Sequence, residues 1–224
     1  MRLQYVTCSM TGGRRRNEDS ICAKLYEDSG KGLFVVCDGM GGLRKGDEAS
    51  QVVTDTFVSV WNKHHAEWST EQMLQEAVAQ GKKAIDRLSR QDTGTTMVMV
   101  ATEGDTITIA HLGDSRAYFM RLHDGLVYQT ADHITIGKEG WPYVSKGFFN
   151  FRDVETPTVK VFHAQESDRI LLCSDGVYGC YRGNALVDLL LTRQGLAATM
   201  SSMMAHCGER ATDNYSAILI EVLS

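Results

Sequence analysis

The chain of 224 residues is 43% hydrophobic and 23% charged, which is typical of a globular protein with one sizeable core. Its formal net charge of -5, with lysine and arginine scattered except at 14–16, excludes the basic surface that nucleic acid would need. No apolar stretch approaches the roughly 18 to 20 residues of a membrane span, so we expect no membrane partner.

The predicted elements fall into blocks along the chain. Their order is strands, two helices, a longer run of strands, two helices and a last strand. Apolar residues recur three or four apart in the helical blocks, at 46–65 and 70–91 and again at 183–191 and 195–207. About ten strand-like runs, rich in β-branched and apolar residues, lie at 3–9, 20–26, 33–38, 95–102, 106–114, 116–121, 126–130, 158–164, 168–175 and 215–223.

Strands grouped in this way, rather than alternating with helices, predict the α+β fold class. Short turns such as 103–106 and 123–125 favour antiparallel hairpins. Two antiparallel sheets packed face to face, each covered outside by one helix pair, would bury every apolar face. We therefore expect a four-layer αββα sandwich that forms a single domain over residues 1–224.

Residues 132–158 differ from the rest of the chain, because they hold both prolines, three glycines and several aromatic residues. We expect them to form a short, loop-rich flap over one edge of the sandwich. The aromatic residues either cover a peptide substrate or pack the flap on itself, and the need for burial favours packing. They are Trp141, Tyr143, Phe148, Phe149 and Phe151.

The six cysteines contain no C-x-x-C pair, and Cys37 and Cys173 lie in apolar runs. Cysteine behaves as a small buried hydrophobe, so this pattern predicts reduced core thiols and not zinc ligands or disulfides. The amino terminus also lacks the apolar core of a signal peptide. We expect a cytoplasmic protein that works as a monomer.

Acidic residues recur at the ends of predicted strands. Asp38, Asp114 and Asp175 each follow an apolar run and are flanked by glycine or serine. One such residue alone usually forms a turn, and the glycine-rich segment 38–45 fits a tight turn as well as a binding site. The complete set, here called the acid cluster, is Glu18, Asp19, Asp38, Asp114, Asp175 and Asp213.

If the acid cluster converges in space, its carboxylates repel one another, and a pair at about 4 Å costs about 4 kcal/mol at an effective dielectric constant near 20. Such a cluster needs cations, and oxygen ligands without Cys or His pairs favour Mg²⁺ or Mn²⁺. Gly39 could add its backbone carbonyl. Two such ions can hold a water that attacks phosphorus, and Arg14, Arg15 or Arg16 could grip the phosphoryl group.

These motifs, in this order, resemble the metal-dependent protein phosphatase family (PPM), the type 2C serine/threonine phosphatases, in its bacterial form. They span nearly the whole chain, and their shared order makes the resemblance specific. The matching segments are Arg14 with NEDS at 17–20, VVCDGMGG at 35–42 with GDEAS at 46–50, GTT at 94–96, HLGDSRAY at 111–118, LLCSDG at 171–176 and DN at 213–214.

The resemblance implies a β-sandwich flanked by helix pairs, with two Mn²⁺ or Mg²⁺ ions in a cleft at the strand ends. Asp38 would bridge both ions, and Gly39 would bind one of them through its carbonyl oxygen. Asp175 and Asp213 would ligate the other ion.

The resemblance also assigns roles around the two ions. Glu18 and Asp19 would act mainly through metal-bound waters, and Asp114 would help to hold a third, weaker ion. Arg14 would grip the substrate phosphate, while Asn214 would orient neighbouring groups.

Two departures from the family pattern concern Met40 and the flap. Met40 stands where some members carry a histidine that could protonate the leaving alcohol, so a metal-bound water or another residue must do so here. The flap is shorter than usual and lacks the helical pattern. Among nearby residues, we interpret His111 as a satisfied core histidine and His133 as an anchor of the flap.

The leading hypothesis is a Mn²⁺/Mg²⁺-dependent phosphomonoester hydrolase that acts on phosphoserine and phosphothreonine in proteins by attack of a metal-bridging water. Its partners would be phosphoproteins made by a serine/threonine kinase, which implies signal transduction. The alternative is an inactive relative that binds phosphoproteins. An aspartyl nucleophile fits less well because Met40 occupies the position of the second acid, and no cysteine lies in a glycine-rich loop ending in arginine.

Overall fold

The computed structural model describes residues 1–40, 43, 45–88 and 90–223, so Gly41 and Gly42 of the DGMGG segment lie outside the described residues. The helices are α1 (Gly46–His64), α2 (Thr70–Leu88), α3 (Asp175–Tyr178), α4 (Ala185–Leu190) and α5 (Leu196–Arg210). The strands are β1 (Arg2–Met10), β2 (Asp19–Tyr26), β3 (Lys31–Asp38), β4 (Gly94–Thr95), β5 (Met97–Glu103), β6 (Thr106–Leu112), β7 (Arg116–Arg121), β8 (Gly125–Gln129), β9 (Ile134–Ile136), β10 (Pro142–Val144), β11 (Phe148–Phe149), β12 (Thr158–His163), β13 (Arg169–Cys173) and β14 (Tyr215–Leu223).

Two five-stranded sheets form the centre of the molecule. Sheet A has the strand order β1-β14-β13-β7-β8, and sheet B has the order β12-β6-β5-β3-β2. Neighbouring strands within each sheet pair antiparallel, for example β1 with β14, where Arg2 lies opposite Leu223 and Met10 opposite Tyr215. Grouped strands with short turns thus give an α+β fold, as the sequence predicts.

β3 illustrates why the layers stack in this order. It is buried on both faces, because successive side chains of a strand point to opposite sides of the sheet. Phe34 packs between the two sheets in a cluster that includes Phe119 of β7. Val35, next along the chain, packs on the outer face in a cluster with Phe57 of α1.

The helices cover the outer faces of the sheets. α1 and α2 pack on sheet B, whereas α3, α4 and α5 pack on sheet A, which completes the predicted helix-sheet-sheet-helix order. The one-turn helix α3 is absent from the sequence prediction, because four residues are too few for helical periodicity. α4 is also shorter than the predicted span 183–191.

The flap has more regular structure than the sequence prediction allows. β9 pairs with β10 as a short hairpin, and β11 pairs with β4, which precedes β5. Strands of two or three residues carry no readable alternation, which explains why the sequence indicates only loop. Residues 132–158, all of them described, contain no helix.

The flap aromatic residues divide into two groups, so the prediction that they pack the flap on itself is only half right. Phe148 and Phe149 are buried, and the Phe148 ring meets Phe57 of α1 edge to face at 6.2 Å. Tyr143 and Phe151 are half exposed, and Trp141 is 76% exposed. The flap therefore leaves these three side chains open to solvent.

The six cysteines are free thiols, four of them buried in the cores: Cys8, Cys37, Cys173 and Cys207. Burial raises the pKa of the Cys37 thiol to about 12. A search of the described residues finds no helix with the length and apolar character of a membrane span.

Candidate metal centre

Asp38 is held at the end of β3 by the threonines of the GTT segment. Its backbone N–H donates to the Thr96 hydroxyl at 3.0 Å. Its carbonyl accepts from the Thr95 hydroxyl and from the Thr96 N–H, both at 2.9 Å. In the pairing of β2 with β3, Asp19 lies directly opposite Asp38. Two carboxylates are thereby fixed side by side at one edge of sheet B.

Gly39 occupies a position that only glycine fits. A Cβ atom there would lie 2.2 Å from the Gly46 carbonyl oxygen and 2.7 Å from that of Glu18. The Gly39 N–H donates to the Glu18 carbonyl at 3.0 Å, and the Ser50 hydroxyl donates to the same carbonyl at 2.6 Å. Gly39, directly after β3, therefore packs its backbone against the chain that carries Glu18.

Asn214 ties the arginine-bearing loop to the start of β14. Its Oδ1 atom accepts the Glu18 N–H at 2.9 Å, and its Nδ2 atom donates to the carbonyls of Thr11 and Arg16 at 2.7 Å. These contacts agree with the expectation that Asn214 orients its neighbours. Arg14 and Glu18 are consequently placed on the same loop, beside Asp213.

Asp19 connects the two sheets beneath the cleft. Its Oδ2 atom accepts from the Ser174 hydroxyl at 2.8 Å, and that hydroxyl in turn accepts the Ser216 N–H at 3.0 Å. Its Oδ1 atom is buried without a hydrogen-bond partner. A buried carboxylate oxygen with no donor is the observation expected where a cation, directly or through a water, completes the site.

A cleft of about 690 Å³ gathers most of the sequence-predicted site residues. It is lined on this side by Arg14, Glu18, Asp38, Gly39, Met40, Thr96, Asp114, Asp175 and Asp213. Asp175 begins α3, and Asp114 lies in the turn between β6 and β7. Asp19 is not among the lining residues. The strand ends of both sheets thus meet at one opening, as the sequence predicts.

Five carboxyl groups of the acid cluster have raised pKa values in the absence of cations. Burial is the main cause in each case, and neighbouring carboxylates add to it. The pKa values of Asp19 and Asp175 are raised to about 6, and that of Asp38 is raised well above its ordinary value. The pKa values of Asp114 and Glu18 are raised as well. Acids that repel one another, with only oxygen donors among them, fit hard divalent cations.

The acidic side chains lie close together, but their spacing is not that of a metal site. Within the part of the chain that the structure describes, no three His, Cys, Asp or Glu side chains have the spacing to hold one ion as they stand. One reason is visible at Asp213, whose Oδ2 atom binds the Arg14 guanidinium at 2.6 Å. Another is that the predicted ligands include the Gly39 carbonyl, which is not a side-chain group.

Of the three consecutive arginines, Arg14 alone is among the described residues lining the cleft. Its side chain is about half exposed and its guanidinium can exchange Asp213 for another anion. Arg16 instead lies 3.7 Å from Asp47, at the start of α1. The sequence left all three open for a phosphoryl group, and the structure favours Arg14.

Three residues of this region have no role in the sequence prediction. Ser174 directly precedes Asp175 in the matched segment LLCSDG, and Thr96 ends the matched segment GTT, so membership of these segments was the available signal. Arg152 lines the far side of the cleft and belongs to no matched segment.

The two histidines near the centre support the flap. His111 is 1% exposed, its Nε2 atom lies 2.9 Å from the Ala131 carbonyl, and its ring stacks on His133 at 4.4 Å. His133 accepts the Gly113 N–H at 3.2 Å and contacts the Thr158 hydroxyl at 3.0 Å. Neither ring lines the cleft, so His111 is a core residue and His133 contacts the flap as predicted. The Nδ1 atom of His111 is buried without a hydrogen-bond partner, however, so the expectation of a satisfied histidine is only half right.

Comparison with known proteins gives consistent results. A family model described as Protein phosphatase 2C matches residues 12–224. The serine/threonine phosphatase stp of Listeria monocytogenes is 26% identical in an alignment of 232 positions. The alignment covers 93% of this chain and 91% of the relative. The solved serine/threonine phosphatase of S. agalactiae is 24% identical, with a TM-score of 0.84 over 99% of this chain and 100% of that chain, and so shares the fold.

A further solved structure bears on the ions. It is the catalytic domain of the serine/threonine protein phosphatase PstP in complex with 2 manganese ions. It is 25% identical, with a TM-score of 0.79 and coverage of 99% of each chain.

Proposed function

The chain belongs to the protein phosphatase 2C family and is a metal-dependent protein serine/threonine phosphatase, and we propose that the acid cluster and Arg14 are the groups with which it works. The observation that carries this proposal is their convergence: Asp38, Asp175, Asp213 and Arg14 come from distant parts of the chain and line one cleft.

Within that cleft, Asp38, the Gly39 carbonyl, Asp175 and Asp213 would hold the two ions. Glu18 and Asp19 would act mainly through water, and Asp114 would help to hold a weaker third ion. The ions, for which we propose Mn²⁺ or Mg²⁺ by analogy with the PstP complex, would lower the pKa of a water and neutralise the phosphoryl oxygens.

The protein's own residues position the substrate. Arg14 would release Asp213 as the acid binds a cation, and its guanidinium would then bind two phosphoryl oxygens of the substrate. Met40 lines the cleft but has no proton to give, so the leaving alcohol takes its proton from another source.

A direct test is hydrolysis of p-nitrophenyl phosphate and of a phosphothreonine peptide with Mn²⁺, compared with EDTA and with Asp38→Ala. We expect activity in the first sample and its loss in the other two. Equal rates in all three would contradict the metal centre. No hydrolysis of either substrate, together with tight binding of the peptide, would favour the inactive phosphoprotein-binding alternative.

We also propose that the substrates are products of a serine/threonine kinase and that the enzyme works as a monomer in the cytoplasm. The six free thiols support a reducing compartment. Light scattering measures the oligomeric state, and a dimer would contradict this part of the proposal.

A further inference from the structure

The cleft has a second wall of different chemistry, which the flap supplies. We call it the flap wall, and it consists of Pro142, Tyr143, Val144, Phe149, Phe151 and Arg152. Opposite the acids it presents aromatic rings and one cation. A phosphate on a small molecule does not need such a wall, whereas a peptide around a phosphorylated residue would lie against it.

Arg152 is the chemically informative member of the flap wall. Its guanidinium carbon lies 3.8 Å over the ring of Phe149, so the plane of the group is set by stacking. Its Nε atom is buried and has no hydrogen-bond partner. Nη2 has only a marginal contact, 3.5 Å to the Val144 carbonyl.

Arg152 is also without an ionic partner among the described residues, in contrast to the other arginine of the cleft. Arg14 is paired with Asp213 at 2.6 Å, whereas no carboxylate lies within salt-bridge distance of Arg152. The Nε–Nη2 edge of a guanidinium is a fork that matches a carboxylate or phosphate. A stacked arginine that lines a cleft, with this edge nearly unused, is suited to an incoming anion.

The position of Arg152 relative to the metal centre is fixed by the fold. Phe149, on which it stacks, is buried and pairs with Gly94 through β11 and β4. The next residue of β4, Thr95, donates its hydroxyl to the Asp38 carbonyl at 2.9 Å. The guanidinium of Arg152 therefore has a fixed position relative to Asp38. A subsite for a residue next to the phosphorylated one requires such a fixed position.

The rest of the flap wall offers apolar contact. The rings of Phe149 and Phe151 lie 5.2 Å apart, and Phe151 and Tyr143 are 50% and 51% exposed. Half-exposed aromatic rings beside a buried one are common where a protein binds another chain. They provide a surface for the apolar parts of a peptide next to the anion.

We propose that the flap wall is a specificity subsite for phosphopeptides that carry a second anionic group within a few residues of the phosphorylated serine or threonine. Arg152 binds that anion, a carboxylate or a second phosphate, while Tyr143 and Phe151 contact the peptide beside it. This inference rests on the proposed function, since it describes the substrate class of the same cleft.

The test compares matched phosphothreonine peptides that differ at the flanking positions, which carry glutamine, glutamate, a second phosphothreonine or lysine. Each is measured as a ratio of kcat/KM to the glutamine peptide, with Mn²⁺, and p-nitrophenyl phosphate reports the metal centre separately. We expect an anionic flank to raise kcat/KM about tenfold, the usual size of one charge-assisted hydrogen-bonded pair.

Variants then connect the preference to Arg152. Arg152→Ala should reduce the ratio to about one, and Arg152→Glu should shift the preference toward lysine. Arg193→Ala, which removes an exposed arginine away from the cleft, should keep the wild-type ratio. Ratios within one protein are unaffected by a partial loss of folded enzyme.

The outcomes separate this inference from the proposed function. If the wild-type enzyme hydrolyses no substrate, the proposed function is wrong. If it hydrolyses every peptide equally, or if Arg152→Ala keeps the preference, the inference is overturned while the phosphatase remains. A preference for the glutamate peptide identifies a carboxylate as sufficient, and one for the doubly phosphorylated peptide alone identifies a second phosphate; both support the subsite.

Discussion

At the scale of single residues, Asp19 shows how the proposed metal centre destabilises the folded protein when cations are absent. One of its carboxylate oxygens binds Ser174, and the other is buried without a partner. Burial, assisted by the charge of Asp213, raises its pKa to about 6. The ionised form present at neutral pH is therefore strained within the fold, and a neutral side chain of the same shape relieves that strain.

We expect Asp19→Asn to stabilise the metal-free protein at pH 8. A rise of about two pKa units corresponds to about 3 kcal/mol, of which we expect about 1 to 2 kcal/mol to be recovered, because the amide has its own need for partners. Urea unfolding in EDTA measures the change, with exposed Asp28→Asn as the control. The same variant should bind Mn²⁺ more weakly. A less stable Asp19→Asn protein would contradict the argument.

Arg14 gives a second prediction at this scale. Arg14→Ala should raise the KM for a phosphothreonine peptide about tenfold or more, because a forked pair of charge-assisted bonds to phosphate is lost. Arg14→Lys should fall between, since it keeps the charge but not the fork. Steady-state kinetics with Mn²⁺ checks this, and exposed Arg15→Ala should leave KM near its wild-type value. An unchanged KM for Arg14→Ala would remove this residue from the phosphate site.

At the scale of elements, the connection from β3 to α1 determines the geometry of the centre. β3 delivers Asp38, and the next residue is pressed between the carbonyls of Glu18 and Gly46. The GTT segment holds the same strand end from the other side through Thr95 and Thr96. Residue 39 has no room for a side chain, so its identity is set by steric contact and not by a preference for a turn.

Gly39→Ala should therefore damage fold and site together. The added methyl group meets backbone, which cannot rotate away, and we expect a loss of about 2 kcal/mol or more in the free energy of unfolding together with a large fall in kcat. Gly195→Ala is the matched control, because a Cβ atom there meets nothing within 4 Å. Thermal unfolding and phosphopeptide hydrolysis measure both effects; equal behaviour of the two variants would refute the steric argument.

Elements that span several periods of their side-chain pattern could be predicted from the sequence, and shorter ones could not. β3 has eight residues with apolar side chains on both faces, and it ends on an acid. By contrast, α3 has four residues and β11 has two, which is less than a pattern needs. The candidate metal ligands could be named from the sequence because their motifs are local, and the structure brings them to one cleft. The pairs of Arg14 with Asp213, 199 residues apart, and of Arg152 with Phe149 depend on tertiary packing.

At the scale of the whole molecule, both sheets contribute acidic residues to the same edge of the sandwich. Sheet B contributes Asp19 and Asp38, while sheet A and its helices contribute Asp175 and Asp213. Packing brings these acids together, and the same packing makes them repel. The metal-free protein is consequently destabilised at this edge, and cations that bind the folded state remove the effect.

The pH dependence of stability follows from the same acids. Between their unfolded pKa of 3.8 and their folded values of about 6, Asp19 and Asp175 bind more protons in the folded state, so stability falls as pH rises through this range. His133 acts in the opposite sense, since burial lowers its pKa to about 4 and its contribution is lost as pH falls from 6.5. Burial also lowers the pKa of His111, and the five acids with raised pKa values outnumber these two histidines.

We therefore expect the protein in EDTA to melt at a higher temperature at pH 5 than at pH 7.5. Mn²⁺ should reverse this order, because cations bind the ionised carboxylates and compete with protons. Calorimetry at both pH values, with and without Mn²⁺, provides the measurement. A chelated protein that is more stable at pH 7.5 would show that the acids do not dominate.

The pairing of β1 with β14 affects when the protein can fold during its synthesis. The strands of sheet B all lie between Asp19 and His163, so that sheet can form while the chain is still emerging from the ribosome. β1 must wait for a partner made about two hundred residues later, which brings Asp213 and Asn214 with it. Long-range closure of this kind is slow. If Asp213 is a metal ligand as proposed, we expect the nascent chain to lack phosphatase activity until synthesis has passed this residue.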